Sequence, residues 1–418
     1  MKILVVGGGA REHALVWKLV REAGVTEVLC APGNPGIATL ARCLPCNMSD
    51  PPALLSLARS ESVDLTVVGP EAPLAHGVAD RFAADGLKLF GPVRAAARLE
   101  SSKAFAKTFM AAHGVPTARF TISDDADQTV RASEDLGFPA VIKADGLAAG
   151  KGVVIVADAA EARQAATAMH VERRFGAAGA TVVVEEFLRG VEASFFVIGA
   201  GTRAVPLPSA QDHKRAFDGD AGPNTGGMGA FAPSHHLTAA VAADVTGTIV
   251  TPVLAGLAEQ GTPYQGFLYV GLMLTAEGPR VVEFNVRLGD PEAQVVLPMI
   301  ETDLAPLMLD ASRGELAAGT LSLSTDRYVG VVMASAGYPD EYDVGLPISG
   351  LERAAAHPDV LVFHAGTRLV EGQVVTAGGR VLTVVGHGPD LAAARERAYS
   401  AVQDIGFDGL HYRTDIGA

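Results

Sequence analysis

The sequence predicts an α/β protein that begins with a Rossmann-like parallel sheet. Short apolar runs such as Ile3–Val6 and Leu65–Val68 alternate with helical patterns near the start of the chain, and this alternation is typical of a doubly wound sheet. From Pro139 onward, strands follow one another across glycine-rich turns, which predicts antiparallel pairing in the middle of the chain. The last part mixes several strands with one helix and predicts a small α+β domain.

The N-terminal elements follow one another in a regular order. We expect a strand at Ile3–Val6, a helix at Glu12–Glu22, a strand at Glu27–Cys30, a helix at Pro51–Ser60 capped by Asp50, a strand at Leu65–Val68, a helix to about Ala84 and a strand near Leu89-Phe90. Ligands of such sheets bind outside the carboxyl ends of the strands. Those ends carry Gly7–His13 and Gly69–Pro73, so we expect the two segments to line one crevice.

The middle and the end of the chain predict further strands and a long polar loop. We expect a helix from Ser102 to about Ala112, strands at Ala140–Ala144, Val153–Val156, Thr181–Glu186 and Ser194–Ile198, a helix capped by Asp158, and a hairpin of Phe267–Leu274 with Arg280–Asn285. Gln211–Gly229 is polar and rich in glycine, and a loop of that length is usually functional. In the tail we expect strands at Tyr328–Met333, Val360–His364 and Val381–Val385 and one helix at Leu391–Asp404. The tail has few convergent polar residues and predicts a supporting domain.

Length, charge and cysteine content narrow the class of protein. The chain has 418 residues, which suggests two to four domains of roughly 100–200 residues each. The formal net charge of −14 argues against a nucleic-acid binder, whose basic surface would dominate the count. Three cysteines are too few for a disulfide framework and predict a reducing, cytoplasmic location. We find no apolar run of the roughly 18 residues that span a bilayer and therefore expect no membrane association.

The first glycine-rich turn, Gly7–His13, does not match a dinucleotide-binding fingerprint. Glu12 occupies the position of the third glycine, and no acidic residue follows the second strand at Cys30-Ala31-Pro32, so a nicotinamide cofactor is not indicated. A helix N-terminus preceded by glycines, with Arg11 beside it, suits a single phosphate. By itself the segment is equally compatible with a tight turn that carries a surface arginine.

The second glycine-rich segment, Gly146–Gly152, differs from a Walker phosphate loop. Its spacing is one residue short, Gly152 stands at the Ser/Thr position, and the segment joins two strands instead of a strand and a helix. A glycine-rich hairpin that carries Lys151 could fold over phosphates as a lid, with Lys143 as a second cation. An ordinary hairpin with two solvated lysines remains an alternative.

The segment Glu283–Arg287 is the most informative motif in the chain. Side chains alternate along a strand, so Glu283, Asn285 and Arg287 should share one face while Phe284 and Val286 face the core. Carboxylate and amide oxygens suit Mg²⁺, which binds few protein groups together with substrate phosphates. Arg287 could pair bidentately with a phosphate or an acyl phosphate. The alternative is a surface cluster of salt bridges.

Two further segments are weaker signals. Glu185–Leu188 ends a strand whose backbone could contact an adenine edge while Glu192 reaches the ribose, although solvated acids would give the same pattern. Cys43-Leu44-Pro45-Cys46 has no second pair for zinc, and we interpret it as incidental. His213 could contact a substrate or lie solvated in its loop.

Together these motifs resemble the phosphoribosylamine–glycine ligase (glycinamide ribonucleotide synthetase) family, ATP-grasp enzymes of purine biosynthesis. The matching segments are Gly7–Ala14 (GGGAREHA), Val68–Leu74 (VGPEAPL), Lys143–Val153 (KADGLAAGKGV), Gln211–Lys214 (QDHK), Gly222–Gly229 (GPNTGGMG) and Glu283–Glu292 (EFNVRLGDPE). Ala10 stands where the family usually has Gly, and Leu288 where Phe is usual. Neither departure removes a polar group.

The resemblance implies a reaction, its partners and a domain organisation. ATP, glycine and 5-phosphoribosylamine would give ADP, phosphate and glycinamide ribonucleotide through glycyl phosphate, with Mg²⁺ or Mn²⁺ as metal ion and no nucleic acid or membrane as partner. The chain would be a monomer or a weak oligomer. The implied domains are 1–101 (Rossmann-like), 102–190 (ATP-grasp with the lid, flexible small lobe about 120–190), 191–326 (main ATP-grasp) and 327–418 (C-terminal cap).

The resemblance also implies a role for each site residue. The implied catalytic residues are Arg287, Asp290, Lys143 and Lys151, and the implied metal ligands are Glu283 and Asn285. The implied ATP contacts are Lys103, Lys143, Gly150, Lys151, Gly152, Glu185, Glu186, Phe187, Leu188 and Glu192. The implied contacts with glycine or the ribosylamine are Gly9, Ala10, Arg11, Glu12, Pro70, Glu71, Asp212, His213, Lys214, Asn224, Thr225, Gly226, Gly227, Arg287, Gly289 and Asp290.

Other functions remain as alternatives. Another ATP-grasp enzyme of purine synthesis, a ribonucleotide carboxylase or a formate-dependent transformylase, would share the metal and lid residues but not Asp212–Lys214 and Asn224–Gly229. A non-catalytic nucleotide-binding protein would not need Glu283, Asn285, Arg287 and Asp290 together. A dehydrogenase is a distant third.

Overall fold

The described part of the chain folds into six β-sheets and the helices packed against them. This computed structural model describes residues 1–146, 152–174, 176–317 and 319–418, with Ala177 described by its backbone only. An N-terminal parallel sheet, antiparallel sheets in the middle and a C-terminal mixed domain confirm the predicted fold class.

The secondary structure elements are numbered here in chain order. The strands are β1 (Lys2–Gly7), β2 (Glu27–Pro32), β3 (Arg42–Cys43), β4 (Leu65–Val68), β5 (Leu89–Phe90), β6 (Phe120–Ser123), β7 (Ala140–Ala144), β8 (Val153–Val156), β9 (Val182–Glu186), β10 (Val191–Gly201), β11 (Arg203–Pro206), β12 (Gln211–Asp212), β13 (Arg215–Phe217), β14 (Ala221–Asn224), β15 (Gly229–Ala232), β16 (Tyr264–Thr275), β17 (Gly278–Asn285), β18 (Arg327–Ser335), β19 (Val360–His364), β20 (Thr367–Val370), β21 (Gln373–Thr376), β22 (Arg380–Gly388) and β23 (Leu410–His411). The helices are α1 (Ala10–Leu19), α2 (Pro51–Ser60), α3 (Glu71–Ala75), α4 (Val78–Ala84), α5 (Arg94–Ser101), α6 (Lys103–Ala112), α7 (Ala126–Leu136), α8 (Ala159–Ala166), α9 (Ala239–Val245), α10 (Thr251–Glu259), α11 (Ala293–Val296), α12 (Leu304–Ala311), α13 (Leu351–Ala355) and α14 (Leu391–Val402).

The N-terminal sheet is parallel and has the order β3-β2-β1-β4-β5. Ile3–Val6 in the central strand are completely buried, as expected for a parallel strand covered on both faces. Asp50 caps α2 as predicted, its Oδ1 accepting a hydrogen bond from Ala53 N at 3.2 Å. The single helix predicted up to Ala84 is instead two, because Gly77 takes a left-handed conformation (φ +82°) between α3 and α4.

The small lobe is a four-stranded antiparallel sheet, β6-β9-β7-β8, with α7 and α8 packed on it. Val130, Ile142 and Val184 belong to a separate apolar core in this lobe. Asp158 caps α8 as predicted, accepting hydrogen bonds from Ala160 N and Glu161 N. Because β7 and β8 are joined by the predicted lid segment, the lobe carries that segment.

The central sheet, β11-β10-β16-β17, is antiparallel and contains the predicted hairpin around Gly278. A π-turn at Thr246–Val250 joins α9 and α10 into one helical stretch over Ala239–Glu259 that the sequence analysis did not predict. By length and composition alone this stretch could cross a membrane, so the expectation that no apolar segment is long enough was wrong. Its Val245, Ile249 and Val253 are completely buried in the core, which is how a core helix packs.

The C-terminal sheet combines strands from two distant parts of the chain. Its order is β12-β15-β18-β22-β19, with β23 paired to β18. The predicted loop Gln211–Gly229 therefore supplies strands, and this sheet contains strands from both sides of the predicted boundary at 326/327. The tail also contains a second helix, α13, that was not predicted.

The N-terminal, central and C-terminal sheets share an apolar core. Ile3 of β1, Phe196 of β10 and Val385 of β22 belong to one cluster of buried side chains. The polar ends of these elements are consequently held in fixed positions relative to one another, and the candidate site lies among them.

Candidate active site

Arg287 is the point where three parts of the chain meet. Its Nε lies 3.2 Å from Glu71 Oε2 at the start of α3, and its Nη2 lies 2.7 Å from Glu100 Oε1 in α5. Arg287 Nη1 and Arg11 Nη1 both donate hydrogen bonds to Leu288 O, at 3.1 and 3.3 Å. The arginines of the first turn and of the β17 loop are thus brought together beside Glu71.

Glu12 fills the space between the two predicted crevice segments. Its Oε2 accepts a hydrogen bond from Gly9 N at 2.6 Å and its Oε1 accepts one from Arg11 Nε at 2.6 Å. A Cβ atom added to Gly69 would lie 2.2 Å from Glu12 Oε1, so a larger residue at this position would displace the Glu12 side chain. The two segments therefore lie side by side, and both oxygens of Glu12 are engaged within the protein. This favours a turn-shaping role over direct contact with a substrate.

The alternation predicted along β17 is present at its end. Phe284 and Val286 are buried among apolar side chains, whereas Asn285 and Arg287 both contact Glu100. The register with β16 shifts between Gly271, which pairs with Glu283, and the next residue. This bulge sets where Glu283 projects from the strand.

Glu283 and Asn285 offer oxygen atoms that fit a magnesium ion. Among the described residues no ion pair involves Glu283; burial would raise its pKa, but Lys214, Lys143 and Lys103 outweigh burial and lower it. In the amide orientation that satisfies its neighbours, the Asn285 nitrogen donates hydrogen bonds to Glu100 Oε1 and Phe284 O, both at 3.1 Å. No cluster of three or more acidic, histidine or cysteine ligands occurs in the described ranges. The donor set therefore fits an ion that completes its shell with phosphates.

Lys143 is held in place by a buried triad of charged residues. Glu185 Oε1 lies 2.9 Å from Lys143 Nζ, and Glu185 Oε2 lies 2.8 Å from Lys107 Nζ. Burial alone would raise the pKa of Glu185, but the two ammonium groups outweigh it and lower that pKa. Burial lowers the pKa of Lys107 to about 8. The carboxylate of Glu185, expected at adenosine, thus orients Lys143.

Lys103 also lies close to the predicted lid. Its Nζ donates a hydrogen bond to Gly146 O at 3.2 Å, and Lys143 Nζ donates one to Val282 O at 3.2 Å. Gly150 and Lys151 lie outside the described residues. Gly152 is buried at the start of the return strand, where its carbonyl accepts a hydrogen bond from Ala144 N.

The predicted adenosine residues surround the end of β9. Glu186 accepts hydrogen bonds from Arg119 N and Nε, at 2.9 and 2.7 Å, and Phe187 and Leu188 are half-buried. Glu192 forms an ion pair with Lys214 at 2.9 Å. This pair connects the predicted ATP segment directly to the predicted glycine segment.

Several charged groups influence Asp212. Burial raises the pKa of Asp212, whereas Asp212 and Glu192 outweigh the effect of burial on Lys214 and raise the pKa of that lysine well above its ordinary value. Burial, together with Asp212, raises the pKa of Glu292 to about 7. Glu292 Oε1 also accepts a hydrogen bond from Ser194 Oγ at 3.2 Å. The charges of two carboxylates and one ammonium group therefore act on one another here, with Glu292 buried and Asp212 and Lys214 half-buried.

Backbone pairing joins the two halves of the predicted glycine loop. His213 N donates to Gly229 O at 2.9 Å, and Thr225 N donates to Lys214 O at 2.7 Å. Burial lowers the pKa of His213, whose Nε2 has no hydrogen-bond partner among the residues that the structure describes. Asn224 is exposed.

Asp290 faces the N-terminus of α1 and is fixed from two sides. Its Oδ1 accepts a hydrogen bond from Gln294 Nε2 at 2.7 Å, and its Oδ2 lies 3.4 Å from Arg380 Nη2. A Cβ added to Gly9 would lie 3.8 Å from Asp290 Oδ2. Burial would raise the pKa of Asp290, but Arg380 and Arg11 outweigh it and lower that pKa. Gly289 leaves room for Glu292, since a Cβ there would lie 2.4 Å from Glu292 Oε2.

Four residues at the site were not assigned a role from the sequence. They are Glu100, Lys107, Glu292 and Arg380. Arg380 belongs to the C-terminal part, for which the sequence analysis assigned no site residue. Glu292 could have been found from its place next to the β17 motif, but the other three lie in segments without any local motif.

The cysteines take no part in the site. Cys30, Cys43 and Cys46 are all free thiols. Burial raises the pKa of each, which is the opposite of what a reactive thiol needs. This agrees with an incidental Cys43–Cys46 motif.

Three family models match most of the chain. Residues 1–100 match the N domain described as phosphoribosylglycinamide synthetase, residues 101–293 its ATP-grasp (A) domain, and residues 328–418 its C domain. The chain belongs to the phosphoribosylglycinamide synthetase family. The resemblance inferred from the motifs is thereby confirmed, and residues 101–293 are an ATP-grasp domain.

Individual relatives agree with this membership. A Xylella fastidiosa protein named phosphoribosylamine–glycine ligase is 49% identical over 421 residues, covering 100% of this chain and 97% of the relative. The crystal structure of a Thermotoga maritima phosphoribosylamine–glycine ligase has a TM-score of 0.87 at 33% identity and covers 99% of this chain and 100% of its own. N5-carboxyaminoimidazole synthase from Aspergillus clavatus, solved with ADP and 5-aminoimidazole ribonucleotide, has a TM-score of 0.68 at 16% identity, covering 96% and 98% of the two chains. This last likeness shows the fold alone.

Proposed function

We propose that the chain ligates glycine to 5-phosphoribosylamine, converting ATP to ADP and phosphate and giving glycinamide ribonucleotide. Family membership supports this assignment, and so do the relatives named phosphoribosylamine–glycine ligase. The structural observation that carries it is the meeting at Arg287 of Glu71, Glu100 and the Arg11 turn. Sites for a phosphorylated amine and for a nucleotide would then be adjacent.

The reaction proceeds in two transfers. An oxygen of the glycine carboxylate attacks the γ-phosphorus of ATP, the bond to the bridging oxygen breaks, and ADP leaves. The amine nitrogen of phosphoribosylamine then attacks the carbonyl carbon of glycyl phosphate, expels phosphate and loses a proton. The first transfer is needed because a carboxylate oxygen is a poor leaving group until it carries a phosphoryl group.

The protein contributes mainly positions and charges. Lys103 and Lys143 neutralise the triphosphate, and the predicted lid residues Gly150, Lys151 and Gly152 cover it and exclude water that would hydrolyse glycyl phosphate. Arg287 stabilises the phosphoryl group during transfer. Mg²⁺ or Mn²⁺, when bound by Glu283 and Asn285, supplies charge neutralisation for the phosphates.

Each substrate has a proposed set of contacts. Adenosine lies against Glu185–Leu188 and Glu192. Glycine lies among Asp212–Lys214, Asn224–Gly227 and Gly289-Asp290. The 5-phosphate of the amine substrate lies at the turn Gly9, Ala10 and Arg11, with Pro70 and Glu71 near its ribose.

Glycine fits the charged residues around Asp212 better than bicarbonate or formate, the acids that the alternative enzymes use. The charges of Asp212, Glu292 and Lys214 act on one another, and such a pair of carboxylates suits the ammonium group of an amino acid. Bicarbonate and formate carry no cationic group that would compensate these carboxylates. The site therefore favours the glycine ligase over a carboxylase or a transformylase.

Release of ADP with glycine, bicarbonate or formate as the only acid tests the proposal. We expect release only when glycine and phosphoribosylamine are both present. Turnover with bicarbonate or formate, or none with glycine, would refute it. A cytoplasmic location and a monomeric or weakly oligomeric state go with this proposal, and sedimentation of the purified chain measures the latter.

A further inference from the structure

Arg380 of β22 bridges two segments of the proposed substrate site that lie far apart in the chain. Its Nη1 donates hydrogen bonds to Gly226 O and, at 2.5 Å, to Asp290 O. Its Nη2 lies 3.4 Å from Asp290 Oδ2. One guanidinium group thus contacts a backbone carbonyl of the Asn224–Gly229 loop as well as the main chain and the carboxylate of Asp290.

Tyr338 reinforces the same contact from the C-terminal domain. Gly226 N donates a hydrogen bond to Tyr338 Oη at 2.9 Å. A Cβ added to Gly226 would lie 3.0 Å from both Arg380 Cζ and Tyr338 Oη, so the loop approaches these side chains as closely as a glycine allows. Both polar groups of the Gly226 backbone are therefore held by C-terminal side chains.

We propose that Arg380, supported by Tyr338, is a positioning residue that fixes Asp290 and the Asn224–Gly229 loop for the acid substrate. Five planar N–H donors let one arginine serve several acceptors in a fixed geometry, which a lysine cannot do. The role rests on the proposed function, because it assigns glycine to the segments that Arg380 holds. The C-terminal domain is then part of the substrate site as well as its support.

The position of Arg380 predicts a selective kinetic defect. It contacts the proposed glycine segments, whereas the proposed ATP residues lie in or next to α6, β7, β9 and β10. In R380A we expect the KM for glycine to rise about 10- to 100-fold, because small displacements of positioning groups have effects of that size. The KM for ATP should stay within about twofold of wild type. R380K should show an intermediate defect.

R397A is the matched control. Arg397 lies in the same domain, pairs with Asp359 at 2.9 Å and donates to His387 O at 2.5 Å, but it contacts none of the proposed substrate residues. We expect wild-type KM values in R397A. Added guanidinium ion should restore part of the glycine affinity of R380A and have no such effect on R397A.

A double-mutant cycle separates positioning from general stability. If Arg380 acts through Asp290, the effects of R380A and D290N on the KM for glycine are not additive. Amide hydrogen exchange gives a readout that does not depend on activity: in R380A and Y338F, exchange should accelerate in peptides covering 222–229, and in R380A also in those covering 288–293. Exchange elsewhere should match wild type.

An unchanged glycine KM in R380A, or equal rises for glycine and ATP, would overturn the inference. If R380A does not fold, Y338F and R380K decide by the same criteria. If wild type itself shows no glycine-dependent turnover, the proposed function fails. Unchanged amide hydrogen exchange at 222–229 in R380A would overturn the role of Arg380 whether or not the proposed function holds.

Discussion

Glu100 shapes the site although the proposed reaction gives it no chemical step. Its Oε2 accepts a hydrogen bond from Val286 N at 2.8 Å, and its Oε1 contacts Arg287 and the amide of Asn285. Burial raises the pKa of Glu100 even though Arg287 opposes this effect. With Glu71 on the other side, the guanidinium of Arg287 is held in one orientation, which is the requirement for bidentate contact with a phosphoryl group.

Replacing Arg287 by lysine should therefore reduce kcat with little effect on folding. R287K keeps a positive charge between Glu71 and Glu100 but loses the planar fork, so we expect a loss of about 2 kcal/mol or more in transition-state stabilisation. Steady-state kinetics and urea unfolding measure the two effects. R280K, on the same hairpin where Arg280 pairs with Glu277 and Glu186, is the control. A wild-type kcat in R287K would contradict the proposed role.

The metal assignment predicts a change in ion dependence. E283Q keeps the size of the side chain but removes a charged oxygen ligand, so the Mg²⁺ concentration for half-maximal rate should rise about 10- to 100-fold. E277Q, at an exposed position of the same hairpin, should leave that concentration unchanged. Initial rates in a Mg²⁺ titration at saturating ATP provide the measurement. Equal behaviour of the two variants would exclude Glu283 as a ligand.

The helical stretch Ala239–Glu259 was not predicted, because its local composition gives no clear helical pattern. One side of the stretch is buried in the core, whereas Gly247 is exposed within its π-turn. Gly247 and Thr248 interrupt the apolar pattern on the exposed side, so no clean helical signal was recognised. Tertiary packing of the apolar side outweighs the low helix propensity of this glycine and the neighbouring threonines.

Gly247→Ala should stabilise the protein. A Cβ at this position meets no atom within 4 Å, and glycine inside a helix costs roughly 0.5–1 kcal/mol relative to alanine. We expect the free energy of unfolding to rise by about that amount and turnover to remain unchanged. Urea denaturation measures the shift. For comparison, G229A should destabilise, because its Cβ would lie 2.7 Å from Gly330 O in the neighbouring strand.

Two buried histidines, His13 and His364, connect the first glycine-rich turn to the C-terminal domain. His364 N donates a hydrogen bond to His13 Nδ1 at 2.9 Å, and Asn34 Nδ2 donates to Gly8 O and His364 O at 2.9 and 2.8 Å. Burial lowers the pKa of His13 to about 3 and that of His364 to about 4. Both rings are therefore neutral in the folded protein at neutral pH.

Because both histidines are buried in the neutral form, the protein should become less stable as the pH falls. Between pH 6.5 and 4 the unfolded chain binds protons on both histidines while the folded protein does not, so the free energy of unfolding should fall as the pH falls. Each histidine adds up to about 1.4 kcal/mol per pH unit to this slope. H364Q should show a slope smaller by about that amount in urea unfolding between pH 6.5 and 4.5. H76Q is the control, because it alters an exposed histidine and leaves His13 and His364 unchanged. An unchanged slope in H364Q would contradict the role of the two buried histidines.

Much of the architecture followed from local patterns. The parallel N-terminal strands, the hairpin around Gly278 and the caps Asp50 and Asp158 were predicted because each depends on a run of a few neighbouring residues. The helix break at Gly77 and the strands inside Gln211–Gly229 were not predicted. The helix break comes from the left-handed conformation of Gly77, whereas β15 depends on pairing with β18, which is distant in the chain.

Neighbouring residues specify which chemical groups each element carries and on which face they lie, since the strand and helix periods are local properties. Glu283, Asn285 and Arg287 could be recognised in this way. The roles of Glu100, Lys107 and Arg380 in holding these and other site groups in place depend on contacts between distant elements. Charges that are neutralised across elements leave no local pattern, because their energy depends on distance and burial and not on separation along the chain.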